Sequence, residues 1–140
     1  MADPAAILES YLGASPDEFT YERVRTDLYY VRIRVPGLYL GWLPVEIFIG
    51  ERTVRLVGGF SVLPRVNEAE AYGYLLRTNL TASGFCFAVD KEGRIVLTGR
   101  IAVDDFDPGS LDAALGRLVD LTESAVGSYL SIGFDPRPAT

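Results

Sequence analysis

The chain has 140 residues, a formal net charge of −6, no histidine and a single cysteine, Cys86. Without histidine the usual catalytic triads, the common zinc sites and imidazole acid–base chemistry are excluded. One cysteine allows no intrachain disulfide, and 19 acidic against 13 basic residues disfavour a surface built to hold nucleic-acid phosphates.

Asp3-Pro4 reads as a helix start, with an N-cap acceptor before the residue best tolerated at the first helical position. Ile7, Leu8, Tyr11 and Leu12 form one apolar face, and Gly13 and Pro16 end the helix. Residues 19–25 read as a strand, with Phe19 and Tyr21 on one face, and Thr26-Asp27 turns the chain. In the next strand, 28–35, Tyr29, Val31, Ile33 and Val35 face one way while Arg32 and Arg34 face the other. That alternation suits an antiparallel sheet with one wet face. Pro36-Gly37 breaks it.

Residues 38–44, LYLGWLP, hold Tyr39 and Trp42 beside Gly41 and Pro44. This composition predicts a loop rather than a regular strand, its aromatics either capping the core or offering a binding surface. Strands follow at 45–49, with Val45, Ile47 and Ile49 inward, and at 53–60, with Val54, Leu56 and Phe60 on one face. Gly58-Gly59 marks a bulge or a close backbone approach. Pro64 closes this region.

Asn67 and Glu70 have the spacing of a capping box. Val66, Ala69, Tyr72, Leu75, Leu76 and Leu80 then recur at helical spacing. Phe85, Phe87 and Val89 alternate with Cys86, Ala88 and Asp90; Cys86 suits a small buried position. Asp90-Lys91-Glu92-Gly93 is a polar turn, and Ile95, Leu97, Gly99, Ile101 and Val103 share the next register. Asp107 and Pro108 open a final helix of about six turns along Leu111, Leu115, Leu118, Leu121 or Thr122, Ala125 and Tyr129. Gly133 reads as its stop and residues 135–140 as a loose tail. The whole predicts one α+β domain over residues 1–134, an antiparallel sheet with helices in the order α-β-β-β(-β)-α-β-β-α.

Chemistry is sparse. Asp104, Asp105 and Asp107 could offer oxygen ligands to a divalent cation, but they lack the calcium-loop spacing and fit the capping of a helix start better. No phosphate-binding glycine fingerprint is present, and no cofactor is expected. Arg32, Arg34, Arg52 and Arg55 with Tyr29, Tyr30 and Trp42 could stack on single-stranded nucleic acid, although the acidic balance favours a plain solvated face. The opening MADPAAILESYLG lacks the basic and apolar regions of a secretory signal, and no run approaches the ~20 apolar residues of a membrane span. A cytoplasmic protein is expected. Its net charge would favour encounters with a basic partner, solubility being the simpler reading of the same charge.

LLRTNL, and after a short gap FCFAVDKEGRIVLTGRIAVDDFDPGSLDAAL, resemble the bacterial YbjN family. In that family a helix ends near an asparagine, a Phe-Ala-x-Asp-x-x-Gly hairpin follows, and a final helix opens after an acidic turn. Asn79, Phe87, Ala88, Asp90 and Gly93 occupy those places. The resemblance covers residues 67–130 well and the first half loosely. The family in turn resembles the small dimeric chaperones of type III secretion. The resemblance implies a chaperone-like fold and a non-enzymatic homodimer that binds a client or partner protein. Its dimer contact would lie on the central helix and following strand, at Tyr72, Leu76, Phe85 and Phe87. Tyr39, Trp42 and Tyr29 are the candidate partner-binding anchors, since aromatics dominate binding hot spots. The alternative is a single-stranded nucleic-acid-binding module, or an accessory factor to a nucleic-acid-binding protein.

Overall fold

A computed structural model describes residues 3–38 and 41–134. Helix α1 (Pro4–Gly13) leads into strands β1 (Phe19–Arg25), β2 (Leu28–Arg34), β3 (Trp42–Ile49) and β4 (Thr53–Val62). Helix α2 (Glu68–Thr81), strands β5 (Phe85–Val89) and β6 (Arg94–Ala102), a short 3-10 turn at Val103–Asp105 and helix α3 (Pro108–Phe134) complete it. The strands form one antiparallel sheet in the order β1-β2-β3-β4-β6-β5. The expected α+β order holds, with four strands before the central helix.

All three helices pack on one face of this sheet. Tyr29, Val31, Ile33, Val45, Ile47, Val54, Leu56, Ile95 and Leu97 rise from the strands to meet Leu8, Leu12, Leu75, Leu111, Leu118 and Tyr129. Helix α3 is the spine of the helical layer, touching α1, α2, β4 and β6. It comes close because β4 is bare beneath it: a Cβ at Gly58 would lie 2.8 Å from Leu118 Cδ1. The expected close approach at Gly58-Gly59 is therefore real, and the ladder also slips between Gly59 and Ser61.

The helix starts obey capping chemistry in two of three cases. Asp3 Oδ1 accepts from Ala5 N at 3.2 Å, with Pro4 in the first turn. Asp107 Oδ1 accepts from Ser110 N at 2.7 Å and Ser110 Oγ accepts from Asp107 N at 3.0 Å, a reciprocal cap. The third differs from expectation. Asn67 has φ 50° and its side chain makes no cap bond; its Nδ2 donates instead to Ile132 O at 2.9 Å. Asparagine tolerates this left-handed conformation better than most residues, which frees its amide to tie α2 to the end of α3.

That tie also explains a second departure. Gly133 is not a stop: α3 runs through it to Phe134, 27 residues in all. Gly133 O accepts from both Arg65 N and Val66 N at 2.9 Å. A Cβ there would lie 2.9 Å from Pro64 Cβ. The glycine serves close packing of the β4–α2 connection, not helix termination.

Residues 38–44 differ as well. Strand β3 begins at Trp42 and includes Pro44. Pro44 sits one residue before the β3–β4 ladder opens at Val45–Gly58, beside the slip in β4. No neighbour there needs the N–H that proline lacks. Tyr39, the loop's other aromatic, and the tail 135–140 lie outside the described residues.

Leu118 is fully buried over Gly58. Leu118→Ala is expected to lower stability by roughly 2–5 kcal/mol in urea denaturation, the scale of a leucine truncation that leaves a cavity. Tyr29 gives a pH test. Burial, then its Oη hydrogen bond to Glu9 Oε2 at 2.9 Å, push its pKa from 10.0 to about 12. The fold favours the neutral phenol, so its contribution is complete below pH 10 and fades as pH rises towards about 12. Thermal melts across that window should show a steeper alkaline loss for the wild type than for Tyr29→Phe.

Candidate functional site

The helices leave the second face of the sheet uncovered, and the strand period of two decides what stands there. In cross-strand rows it carries Thr20, Arg32 and Pro44; then Glu22, Tyr30, Glu46, Val57, Thr98 and Cys86; then Leu28, Phe48, Arg55 and Arg100. Arg34 pairs with Trp42 at one end. The guanidinium carbon of Arg32 lies 4.3 Å from the Trp42 ring centroid, and that of Arg55 lies 4.5 Å from the Phe48 centroid. Both distances are within cation–π range. Trp42 is 43% exposed and Tyr30 47%, so large aromatic surface remains open beside the arginines.

The two faces differ in charge. Glu22 and Glu46 are the carboxylates within these open-face rows. Glu9, Glu18, Glu68, Glu70, Asp112, Asp120 and Glu123 lie on the helices or their connections. A cleft of about 360 Å³ between α3 and the α1 end of the sheet gathers Glu18, Asp112, Asp120 and Glu123 around Phe19 and Leu115. There Tyr11 Oη donates to Asp112 Oδ1 at 2.6 Å, and burial together with this bond pushes the phenol well above its ordinary range. A second cleft of about 340 Å³ brings Arg100 and Arg117 to Asp105 and Ser110 over Leu56 and Phe85.

Helix α2 buries Ala71 and Leu75. The expected stripe is wider than the face its neighbours cover, so Leu76 and Leu80 stay 67% and 86% exposed. Tyr72, four residues before Leu76, is half-buried. At the adjacent sheet edge, Asn79 holds β5: its Oδ1 accepts from Phe87 N at 2.6 Å and its Nδ2 donates to Phe87 O at 3.2 Å. One side-chain amide thus satisfies both main-chain groups of an edge residue, which blunts strand addition there. The polar turn forms as expected, with Asp90 Oδ1 accepting from Glu92 N and Arg94 N at 3.0 and 2.8 Å and Gly93 at φ 77°. The backbone N–H of Arg94, and then its guanidinium, hold the Asp90 carboxyl below its ordinary range.

Several expected site residues lie elsewhere. Tyr29 is fully buried on the helix side of the sheet, beneath Arg23 at 5.3 Å, because it shares the alternation of Val31 and Ile33. Phe85 and Phe87 are 6% exposed and belong to this chain's own core; of the expected dimer contacts only Tyr72 and Leu76 reach the surface. Cys86 is exposed rather than buried, since it alternates with those phenylalanines. Phe48 and Arg100 were not singled out by sequence, yet their alternation with Ile47 and Ile101 was a usable signal. Among the described residues no three metal-ligating side chains converge. No described helix is long and apolar enough to cross a membrane.

No family model matches the chain. An uncharacterized protein of Mycobacterium tuberculosis is 30% identical over 102 residues, which are 73% of this chain and 56% of that protein. The chain thus spans just over half the length of that relative. An uncharacterized protein of Mycobacterium leprae is 29% identical over 130 residues, 92% of this chain and 71% of its own length. Among solved structures, the Yersinia pestis type III secretion chaperone SycH, in complex with a stable fragment of YscM2, matches with a TM-score of 0.59 and 20% identity. That match covers 88% of this chain and 99% of the other. A chain of the heterodimeric ExoU–SpcU complex from the type III secretion system of Pseudomonas aeruginosa matches at 0.55 and 16% identity, covering 93% and 99%. An uncharacterized protein from Methanothermobacter thermautotrophicus matches at 0.65 and 10% identity, covering 94% and 99%. At these identities the likeness is one of fold, and the fold is that of the type III secretion chaperones.

Proposed function

We propose that this chain is a non-enzymatic, homodimeric protein of the YbjN kind that binds a client or partner protein in the cytoplasm, as a chaperone or regulator, through a single domain spanning residues 1–134. The observation that carries this reading is the uncovered sheet face, where exposed Trp42 and Tyr30 stand beside Arg32 and Arg55. The likeness to a type III secretion chaperone solved with a fragment of a partner protein, and to a chain of a heterodimeric type III secretion complex, supports it. An open sheet face with aromatic anchors suits protein recognition. Of the expected anchors, Trp42 stands on this face, and Tyr39, three residues before it in sequence, remains a candidate. A basic partner segment would meet the carboxylates of the helical layer, at the cleft of Glu18, Asp112, Asp120 and Glu123. The second reading, a single-stranded nucleic-acid module or accessory factor, draws on the same arginines and aromatics. A salt-dependent titration with labelled single strands separates the two.

The dimer contact in this reading is the α2 stripe of half-buried Tyr72 and exposed Leu76 and Leu80. Multi-angle light scattering at micromolar concentration should give twice the chain mass, and Leu76→Glu with Leu80→Glu should return it to one. A wild-type chain that scatters as a single copy removes the dimer from the account.

Trp42→Ala tests the anchor. Because Trp42 is partly exposed and lies under the Arg32 guanidinium, stability should fall by about 1 kcal/mol, not the ~3–5 kcal/mol of a buried tryptophan. Partner affinity should fall by about 2 kcal/mol or more. Trp42→Phe with unchanged partner affinity, together with indole fluorescence shielded from iodide, would take this residue out of the binding surface.

A further inference from the structure

The open face of the sheet carries an electrostatic conflict that its own chain does not relieve. Arg55 and Arg100 stand directly opposite one another on β4 and β6, and like charges in that relation are destabilising. Among the described residues neither makes an ion pair, nor do Arg32 and Arg34. Arg94 is different: Asp90 and Glu92 approach it at 2.8 and 3.6 Å, and Glu46 adds its field. Arg32 and Arg55 therefore stand on this face with no carboxylate beside them, while Arg34 and Arg100 make no ion pair although each also borders a cleft that holds carboxylates, in a chain whose net charge is −6.

Two of the four are held in place. The guanidinium of Arg32 lies over the Trp42 ring and that of Arg55 over the Phe48 ring. A guanidinium held over an aromatic ring retains N–H donors for a planar acceptor, with less freedom to lose on binding. Their positions also set a spacing. Arg32 on β2 is opposite Pro44 and Arg55 on β4 is opposite Phe48, so the two lie four residues apart along the strands, about 13 Å, and two strands apart across them, about 10 Å. An extended chain that crosses the strands obliquely can reach both.

We propose that this face docks an extended acidic segment of a partner protein. Asp or Glu side chains reach Arg32 and Arg34 at one end and Arg55 and Arg100 at the other, while apolar groups of the segment rest on Trp42 and Tyr30. This rests on the protein-binding reading above and adds the partner's charge at this face. A nucleic acid fits less well. It carries a phosphate on every nucleotide, so phosphates would fall over Glu22 and Glu46 in the row between the two arginine pairs, and the net charge repels a polyanion. Carboxylates on a peptide can be spaced to miss that row. The acidic helical layer of a second copy would complement the face too, but that head-to-tail contact does not close and would propagate.

The probe is a fluorescein-labelled copolymer of glutamate and tyrosine, titrated into the full chain at low and at moderate salt, with oligothymidylate and polylysine in parallel. The expected result is saturable copolymer binding that weakens with salt. Arg32→Ala with Arg34→Ala, and separately Arg55→Ala with Arg100→Ala, should each weaken it by about fivefold or more. Arg77→Ala on α2 should not. Unlabelled copolymer should also shift the emission of the single tryptophan. Arg55→Gln, which keeps part of the stem over Phe48, serves if an alanine variant melts early. Arg100→Thr should raise the melting temperature while weakening binding, a pairing that a purely structural arginine would not give. The proposal is overturned if the copolymer does not bind, if both folded double variants bind it unchanged, or if oligothymidylate binds these arginines more tightly. Assemblies that grow with concentration and that the copolymer disperses would assign the face to a second copy and overturn it equally. The dimer on α2 is read by light scattering, so its failure is distinguishable from failure of this titration.

Discussion

The contact between Leu118 and the bare backbone of Gly58 sets the distance between the two layers, and the rest of the structure depends on that distance. A helix normally stands off a sheet by the bulk of both sets of side chains. Here one strand offers none at the crossing point, so α3 drops towards β4. Thr122 Oγ1 bonds to Leu118 O at 2.8 Å, which keeps a buried hydroxyl satisfied at that depth. With α3 low, Tyr129 can meet Phe60 edge-on at 5.3 Å and send its hydroxyl to Val62 O at 2.7 Å. Phe60 in turn meets Phe87 edge-on at 4.9 Å, which joins the β5 edge to the same cluster. The end of α3 then accepts the backbone of the β4–α2 connection. One close approach thus fixes the long helix, and the long helix fixes α2 and the outer hairpin.

A sheet served by a single helical layer has a second face with nothing to bury. Most two-layer folds make such a face uniformly polar. This one keeps Leu28 and Val96 at 6% exposure and lays arginine side chains over Trp42 and Phe48. Long basic side chains can shield aromatic surface while keeping their charge in water. The face is therefore soluble when empty and still rich in contact area. That combination suits reversible binding better than a permanent interface, whose core would be depleted of charge.

Much of the fold was legible because alternation and helical spacing are direct images of burial. The β2 strand, the β5–β6 hairpin and the α3 stripe stand as the residues foretold, and Asp3 and Asp107 cap their helices as their chemistry requires. The misses share one cause, which is that periodicity identifies a face without saying what lies against it. Tyr29 and Trp42 look alike as aromatics in or near strands, yet one is sealed under α1 and the other faces solvent. Leu75 and Leu76 are neighbours on α2, and only the first is buried. Asn67 and Gly133 carry the usual signatures of a cap and a stop, but each is used to dock one segment on another. The arginine–aromatic face was half visible in Arg32, Arg34 and Arg55. Its completion by Arg100 depends on a strand order, β4 beside β6, that no local pattern contains.

The amide of Asn79 has a consequence for how the molecule opens. Phe87 N–H lies on an edge strand, and an edge amide ordinarily exchanges its proton with solvent almost as fast as a loop does. Here it donates to a side chain carried by the last turns of α2. Its exchange is slowed until the Asn79 side chain turns away or that part of the helix lifts, so one backbone proton of the sheet is coupled to a helix. Helix end and strand edge then belong to one cooperative unit, and any event that loosens α2 uncovers a pairing-competent strand in the same step.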